Sequence, residues 1–144
     1  MGIADKVRVR LARIDDLAWC VRNDDLVTEG VIERKIELEE IFLAEIEGRI
    51  VGYLRLEYLW STVPYIGVVF VEEDYQRRGI GRAILVFLEA FLHARGHAVL
   101  LSSSQVNEPS PQAWHRVMGF QECGILAGIN EGGIGEVFFS KSLG

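Results

Sequence analysis

The strongest constraint on this chain is the apolar run Tyr65-Ile66-Gly67-Val68-Val69-Phe70-Val71, together with the periodic segment that succeeds it. The run shows no polar alternation, the pattern of a strand buried on both faces in the middle of a sheet. Beyond it, Ile80, Ile84, Phe87, Leu88, Phe91 and Leu92 recur at helical spacing, and Gly96 supplies a stop where a left-handed cap is easy. Ala98 to Leu101 then reads as a second short buried strand. Residues 65–101 therefore form a β-α-β unit whose strands should be parallel, because only a crossover helix can return the chain in the same direction.

The flanking segments add an antiparallel periphery. Val7, Val9 and Leu11 alternate with Arg8 and Arg10 as a half-exposed first strand, and Asp15 or Asp16 is placed to cap a following helix. A second helix is expected from Thr28 to Glu39 with Thr28 as N-cap. Ile41 to Ile46 and Ile50 to Leu59 are β-rich runs joined through Glu47-Gly48-Arg49, which reads as a hairpin. Ser110 followed by Pro111 marks a short helix ending at Gly119. Strands from Gln121 to Ala127 and from Glu136 to Lys141, joined by the glycine-rich G-I-N-E-G-G-I-G, complete the order β1-α1-α2-β2-β3-β4-α3-β5-α4-β6-β7.

Size and charge limit what such a fold can serve. A chain of 144 residues, 49% apolar, suits one domain with one core. A net charge of −6 repels phosphate backbones and argues against extended nucleic-acid binding, so any phosphate site must be local. Cys20 and Cys123 are far apart and in no C-x-x-C pair, which indicates neither a disulfide framework nor a cysteine-rich zinc site; both read as small buried residues in a reducing cytoplasm. The opening M-G-I-A-D-K lacks the apolar stretch of a secretory signal, and the longest apolar run is far below the roughly 20 residues of a membrane span. The expectation is a cytoplasmic protein with no membrane contact.

The chemistry concentrates at Gln76-Arg77-Arg78-Gly79-Ile80-Gly81-Arg82, where two glycines and three arginines stand at a helix start. The first amides of a helix have no intrahelical partners and sit at the positive end of its dipole, so a diphosphate is the natural guest. No Lys-Ser or Lys-Thr comes after it as in a Walker loop, and Ile84 occupies the third-glycine position of a dinucleotide fingerprint. The glycines could also serve only a tight strand-to-helix turn.

Q-R-R-G-I-G, set between an apolar strand and a long amphipathic helix, resembles the acetyl-CoA motif Q/R-x-x-G-x-G/A of the GNAT superfamily of N-acetyltransferases. Further on, A-W-H-R-V-M-G-F is similar to that family's second signature, a short helix with an aromatic pair that ends in Gly-Phe. The resemblance implies an α/β (α+β) fold with a mixed, twisted, seven-stranded sheet flanked by about four helices, in which β4 and β5 splay apart around the pantetheine arm. It implies that amides near Val69 and Val71 meet the pantetheine and the thioester carbonyl, and that Gln76, Arg77, Arg78, Gly79, Ile80, Gly81 and Arg82 surround the pyrophosphate. Asn107 stands where the family has a polar residue reaching the pantetheine, although a loop-forming asparagine would look the same.

The activity so implied is acetyl transfer from acetyl-CoA, a cosubstrate, to a primary amine of a small molecule or protein, by direct attack in a ternary complex without a metal. A homodimer is compatible with the family. Two other readings share the phosphate site: a catalytically weak acyl-CoA sensor or partner-binding module of the same fold, and a nucleotide-binding regulatory domain that prefers ATP to coenzyme A.

The attacking amine must lose a proton, and the β4 residues Tyr65, Gly67 and Val69 supply no carboxylate for it. Glu57 on β3 is the preferred base, with Glu29 or water as alternatives; Glu57 shares a strand face with Arg55, so a salt bridge is an equally simple reading. His115 occupies the position where the family most often has a tyrosine that protonates the departing thiolate. It is either that acid or a structural residue, with Trp114 beside it packing under the adenine arm or into the core. Tyr58, Trp60 and Tyr65 gather near the β3–β4 connection, as lining of an acceptor pocket or as packing.

Overall fold

The computed structural model describes residues 6–144, so the first five residues, part of the opening M-G-I-A-D-K, lie outside the described residues. The elements follow the expected order: β1 Arg8–Leu11, α1 Leu17–Asn23, α2 Glu29–Glu37, β2 Ile41–Ile46, β3 Arg49–Leu59, β4 Val63–Val71, α3 Ile80–Ala94, β5 Val99–Gln105, α4 Pro109–Val117, β6 Gln121–Leu126 and β7 Glu136–Ser142. The strands form a seven-stranded sheet in the order β1-β2-β3-β4-β5-β7-β6. It is mixed: β4 and β5 pair in parallel at Tyr65 and Leu101, while β1–β2, β2–β3, β5–β7 and β6–β7 are antiparallel.

By internal contact the chain divides into two compact units, the first comprising the residues up to Leu56 together with Gly67–Leu88, the second Glu57–Ile66 with Glu89–Gly144. In the first unit the β2–β3 hairpin turns at Glu47 (φ 51°) and Gly48 (φ 80°), two consecutive left-handed residues of the kind that match strand twist. One core cluster joins Ala12, Cys20, Ile32, Ile36, Ile41, Leu43 and Tyr53. Trp19 and Phe70 pack against it, Phe70 stacked on Tyr53 with centroids 5.3 Å apart and on Trp19, and Trp19 tilted against Tyr53.

Helix α3 packs on β3 at Gly52. A Cβ placed there would lie 2.8 Å from Ile84 Cδ1, 3.2 Å from Ala44 Cβ and 3.4 Å from Ile80 Cγ2. Thr28 caps α2 as expected, its hydroxyl accepting from Val31 N at 3.4 Å. Asp16 does not cap α1. Its carboxylate instead accepts from Arg10 Nη1 at 2.8 Å, Arg10 Nη2 at 3.0 Å and Arg13 N at 2.7 Å, because a bidentate charged partner outcompetes a helix amide.

In the second unit Gly96 (φ 85°) closes α3 by accepting the left-handed turn, and His97 N reaches back to Leu92 O at 3.1 Å. Gly119 (φ 92°) does the same for α4, with Phe120 N bonded to His115 O at 2.9 Å. That bond explains the Gly-Phe ending physically: glycine supplies the left-handed residue and the aromatic packs back over the last turn, 5.4 Å from the His115 ring.

Helix α4 starts earlier than expected, with Pro109 rather than Pro111 at its first position and Glu108 rather than Ser110 as N-cap. Either proline satisfies the missing-donor rule, and the chain uses the first. Cys123 is exposed, not buried, because β6 is an edge strand exposed along its whole length. Strand β4 is half-buried over most of its residues, with only Pro64 and Ile66 fully covered, whereas its unbroken apolar run suggested two dry faces.

Gly52→Val should destabilise the protein by about 1–3 kcal/mol, since its Cβ alone would press on Ile84 Cδ1 and Ala44 Cβ and the added methyl groups overpack the contact further. Gly30 lies inside α2, and a Cβ there would have nothing within 4 Å of it, so Gly30→Ala should instead stabilise by roughly 0.4–1 kcal/mol. Urea titration of the two variants checks both signs.

Candidate functional site

The end of β4 and the start of α3 form a shaped turn. Glu72 N bonds to Val51 O at 2.8 Å, a short 3-10 turn covers Glu73–Tyr75, and the Gln76 side-chain amide donates to Val71 O at 3.0 Å. The chain then passes through Arg77 (φ 62°) and Gly79 (φ 82°) before α3 begins at Ile80. Two left-handed residues in three reverse the chain, and a non-glycine one at Arg77 is uncommon enough to mark a constrained segment. Gly81 lies inside the first helical turn, where any residue could adopt the backbone.

Ile80 is buried and anchors the helix start, while Arg77, Arg78, Gly79 and Arg82 are exposed around it. The first amide of α3 that bonds back is Ala83 N, to Gly79 O at 3.0 Å, so the amides before it lack a helical partner and stand among exposed guanidinium groups, a setting that suits an anion. Arg49 adds to this cluster and was not foreseen. It lies over the Tyr75 ring at 5.6 Å, with Arg78 over the same ring at 6.0 Å, and pairs with Glu72 at 3.0 Å. Only the hairpin register brings position 49 to the end of β4, so local sequence carried no signal for it. Val69 and Val71 are half-buried on β4.

A second polar cluster crosses the strands of the other unit. Tyr65 Oη on β4 lies 2.6 Å from Ser103 Oγ on β5, and Ser103 Oγ donates to Glu136 Oε2 on β7 at 2.6 Å. Asn130 Nδ2 donates to the other carboxylate oxygen at 2.9 Å. The Tyr65 ring stacks on Phe138 with centroids 5.7 Å apart. Ser103 and Glu136 were missed by sequence reading, since 33 positions separate them. The available hint was the hydroxyl run Ser102-Ser103-Ser104 directly after Ala98 to Leu101, the stretch read as a short buried strand, which the structure extends to Gln105.

The opposite face of β5 holds His115. It is buried, with Nδ1 2.7 Å from Pro111 O, Nε2 2.7 Å from Ser102 Oγ and its ring stacked 4.5 Å from Phe139. A carbonyl only accepts, so Nδ1 carries the hydrogen and neutral Nε2 accepts from the serine. Burial lowers the imidazole pKa below its ordinary value, against a smaller opposing effect of the Pro111 hydrogen bond. Trp114 meets the His115 ring edge-on at 5.2 Å.

Among the remaining candidates, Glu57 is half-exposed on β3 and Glu29 is exposed at the first residue of α2. Asn107 is exposed between β5 and α4. Arg55 pairs with Asp24, at 2.7 Å from Nε to Oδ2, and Tyr53 Oη donates to the same oxygen at 2.6 Å. Burial pushes the Asp24 carboxyl up, but these two hydrogen bonds outweigh it and hold its pKa below the ordinary value. The same burial raises the Tyr53 phenol. Tyr58 packs on His97 at 5.7 Å, and Trp60 is 81% exposed at a left-handed turn, which makes it no part of the core. No group of three or more His, Cys, Asp or Glu is gathered among the described residues, and no helix among them is long and apolar enough to cross a membrane.

Comparison with known proteins points the same way. The acetyltransferase (GNAT) family model matches residues 11–120. The aminoglycoside N(6')-acetyltransferase type 1 of Stenotrophomonas maltophilia is 33% identical over 91 residues, a match spanning 57% of this chain and 60% of that protein. The Escherichia coli ribosomal-protein-S18-alanine N-acetyltransferase superimposes with a TM-score of 0.79 at 19% identity, over 95% of this chain and 94% of that one. Ard1 of Thermoplasma volcanium gives 0.82 at 14% identity, over 95% and 97%. The Salmonella typhimurium protein yncA, solved with its cofactor acetyl-CoA, gives 0.77 at 17% identity, over 96% and 95%. At these identities the structural likeness speaks for the fold.

His115 makes stability depend on pH in a defined direction. The folded-state pKa lies below the ordinary 6.5, so its contribution is complete above about pH 6.5 and diminishes as pH falls toward the depressed value, where the unfolded chain binds the extra proton. His115→Phe should remove that decrement and cost about 1–3 kcal/mol at neutral pH, because Ser102 Oγ loses its buried partner. Denaturant titrations above and below pH 6.5 measure both effects.

Proposed function

Because the chain belongs to the GNAT acetyltransferase family, we propose that it transfers an acetyl group from acetyl-CoA to a primary amine by direct attack in a ternary complex. The whole chain would act as one catalytic domain. The observation that carries this reading is the turn through Arg77 and Gly79, which presents the first-turn amides of α3 among exposed arginines. On a protein of net charge −6 that is a local concentration of positive charge, and it fits a diphosphate better than an extended polyanion.

Acetyl-CoA supplies the activated acyl group, and this chain supplies its placement. In the proposal the backbone amides of Arg77, Arg78, Gly79, Ile80, Gly81 and Arg82 hold the pyrophosphate. The Gln76 side chain fixes the turn by its bond to Val71 O. Amides near Val69 and Val71 meet the pantetheine and steady the negative charge that develops on the thioester oxygen.

His115 enters as a positioning residue. Its Nδ1–H is committed to Pro111 O and its Nε2 to Ser102, so it holds α4 to β5, and the thiolate takes its proton elsewhere. Once folded, His115→Phe should keep the wild-type kcat across the pH range.

The acceptor follows from charge. Net acidity attracts cationic amines, and the named substrates of the relatives, an aminoglycoside and an alanine of a ribosomal protein, are both compatible with an amine of this kind. Glu57 is the proton acceptor suggested by sequence, and the geometry offers a second on β7. A cytoplasmic setting fits a cosubstrate made there, and a homodimer is compatible with this reading.

Acetyl-CoA at about 100 times its dissociation constant should stabilise the fold by roughly 2.7 kcal/mol. Gly81→Val should lose most of that shift while staying folded, because a branched side chain would stand where the pyrophosphate approaches the backbone. Normal acetyl-CoA binding by the variant in calorimetry would refute the site assignment.

A further inference from the structure

The polar row across β4, β5 and β7 exceeds what strand pairing needs. β5 and β7 are already in register from Val99 opposite Ser142 to Gln105 opposite Glu136, so their backbones are joined without it. Yet Tyr65, Ser103 and Glu136 form two hydrogen bonds of 2.6 Å each on a half-buried face, while Ser102 and Ser104 turn to the buried one. A half-buried carboxylate bears a desolvation cost, and here both of its oxygens are engaged, Oε2 by Ser103 and Oε1 by Asn130.

On the reading that this chain acetylates an amine, we propose that Glu136 takes the proton the acceptor amine must lose, through Ser103 Oγ and Tyr65 Oη. The direction of the row follows from its end. A carboxylate only accepts, so the Ser103 hydroxyl donates to Glu136, and with that proton committed its oxygen accepts from Tyr65. A phenol oxygen that donates keeps lone pairs, which can accept from an ammonium group. Phe138 stacked on Tyr65 fixes the ring that presents this oxygen. Tyr65 also stands on β4, the strand whose own residues supply no carboxylate, and the row brings one to it from β7.

The transfer balances. One ammonium N–H bond breaks as an O–H bond forms at Tyr65. Tyr65 passes its own proton to Ser103, Ser103 passes its own to Glu136, and both hydroxyls end neutral as they began. The Glu136 carboxylate becomes a carboxylic acid and later returns the proton to water. The freed nitrogen lone pair forms the C–N bond, the C–S bond breaks with its electron pair on sulfur, and sulfur takes the second proton that nitrogen releases.

The test uses coenzyme A release with three amines, kanamycin, spermidine and a peptide beginning with alanine, across about pH 6 to 10, beside calorimetry of acetyl-CoA binding. Glu136→Gln should lower kcat about 10²-fold or more, leave the acetyl-CoA dissociation constant unchanged, and shift the remaining activity to higher pH, where the amine is already neutral. Ser103→Ala should reproduce that profile, and Ser103→Thr, which restores a hydroxyl, should recover most of the rate. A folded Glu136→Gln or Ser103→Ala that keeps the wild-type kcat–pH profile overturns the inference, as does a Glu57→Gln variant that alone produces the shift. Failure of the wild-type protein to bind acetyl-CoA, or to turn over any of the amines, defeats the parent reading and this inference with it.

Discussion

The structure depends on how closely α3 can lie on β3, and Gly52 sets that distance. A Cβ there would stand 2.8 Å from Ile84 in α3 and 3.2 Å from Ala44 on β2, with Ile80, the first residue of α3, in ordinary contact at 3.4 Å. The contact that seats the helix is therefore the contact that fixes where its free amides point. With a Cβ at position 52, α3 could keep this seat on β3 only if Ile84 and Ala44 gave way. In the proposed function packing and binding would share this element, because a helix terminus holds an anion best when its axis is fixed.

The polar chemistry follows from the two faces of β5. The buried face carries Ser102, whose hydroxyl is satisfied by His115, and Ser104; the half-buried face carries Ser103, which links Tyr65 to Glu136. Strand alternation thus turns three consecutive serines to opposite tasks, one locking α4 and one lying in a directed row of hydrogen bonds. His115 shows the cost of the first task. Holding the helix occupies both ring nitrogens, and burial disfavours the charged form that an acid would need.

What was legible in the sequence was local. The turn Arg77-Arg78-Gly79, the stops at Gly96 and Gly119, the Thr28 cap and the Glu47-Gly48 hairpin each depend on a few neighbouring residues, and each lies where pattern and turn chemistry put it. Sequence alone places the start of α4 two residues late, at Pro111 after Ser110, because a serine before a proline is a strong local start signal and Pro109, which opens the helix, has no such cap before it. The cover on β4 and the exposure of Cys123 depend on what lies across the sheet, which an apolar run does not specify. Arg49 and the Tyr65–Ser103–Glu136 row are tertiary facts. They exist only once register is set, as between Ile46 and Arg49 in the hairpin and between Ser103 and Phe138 in β5 and β7.

The central claim is that the amides at the start of α3 hold the pyrophosphate of acetyl-CoA. Residue-resolved amide hydrogen exchange, with and without acetyl-CoA, reads those groups directly. The account predicts that exchange slows at Arg78, Gly79, Ile80, Gly81 and Arg82 when acetyl-CoA is added, and that ATP at the same concentration protects them less. Unchanged exchange at these five amides under saturating acetyl-CoA, with protection appearing elsewhere in the chain, would contradict it.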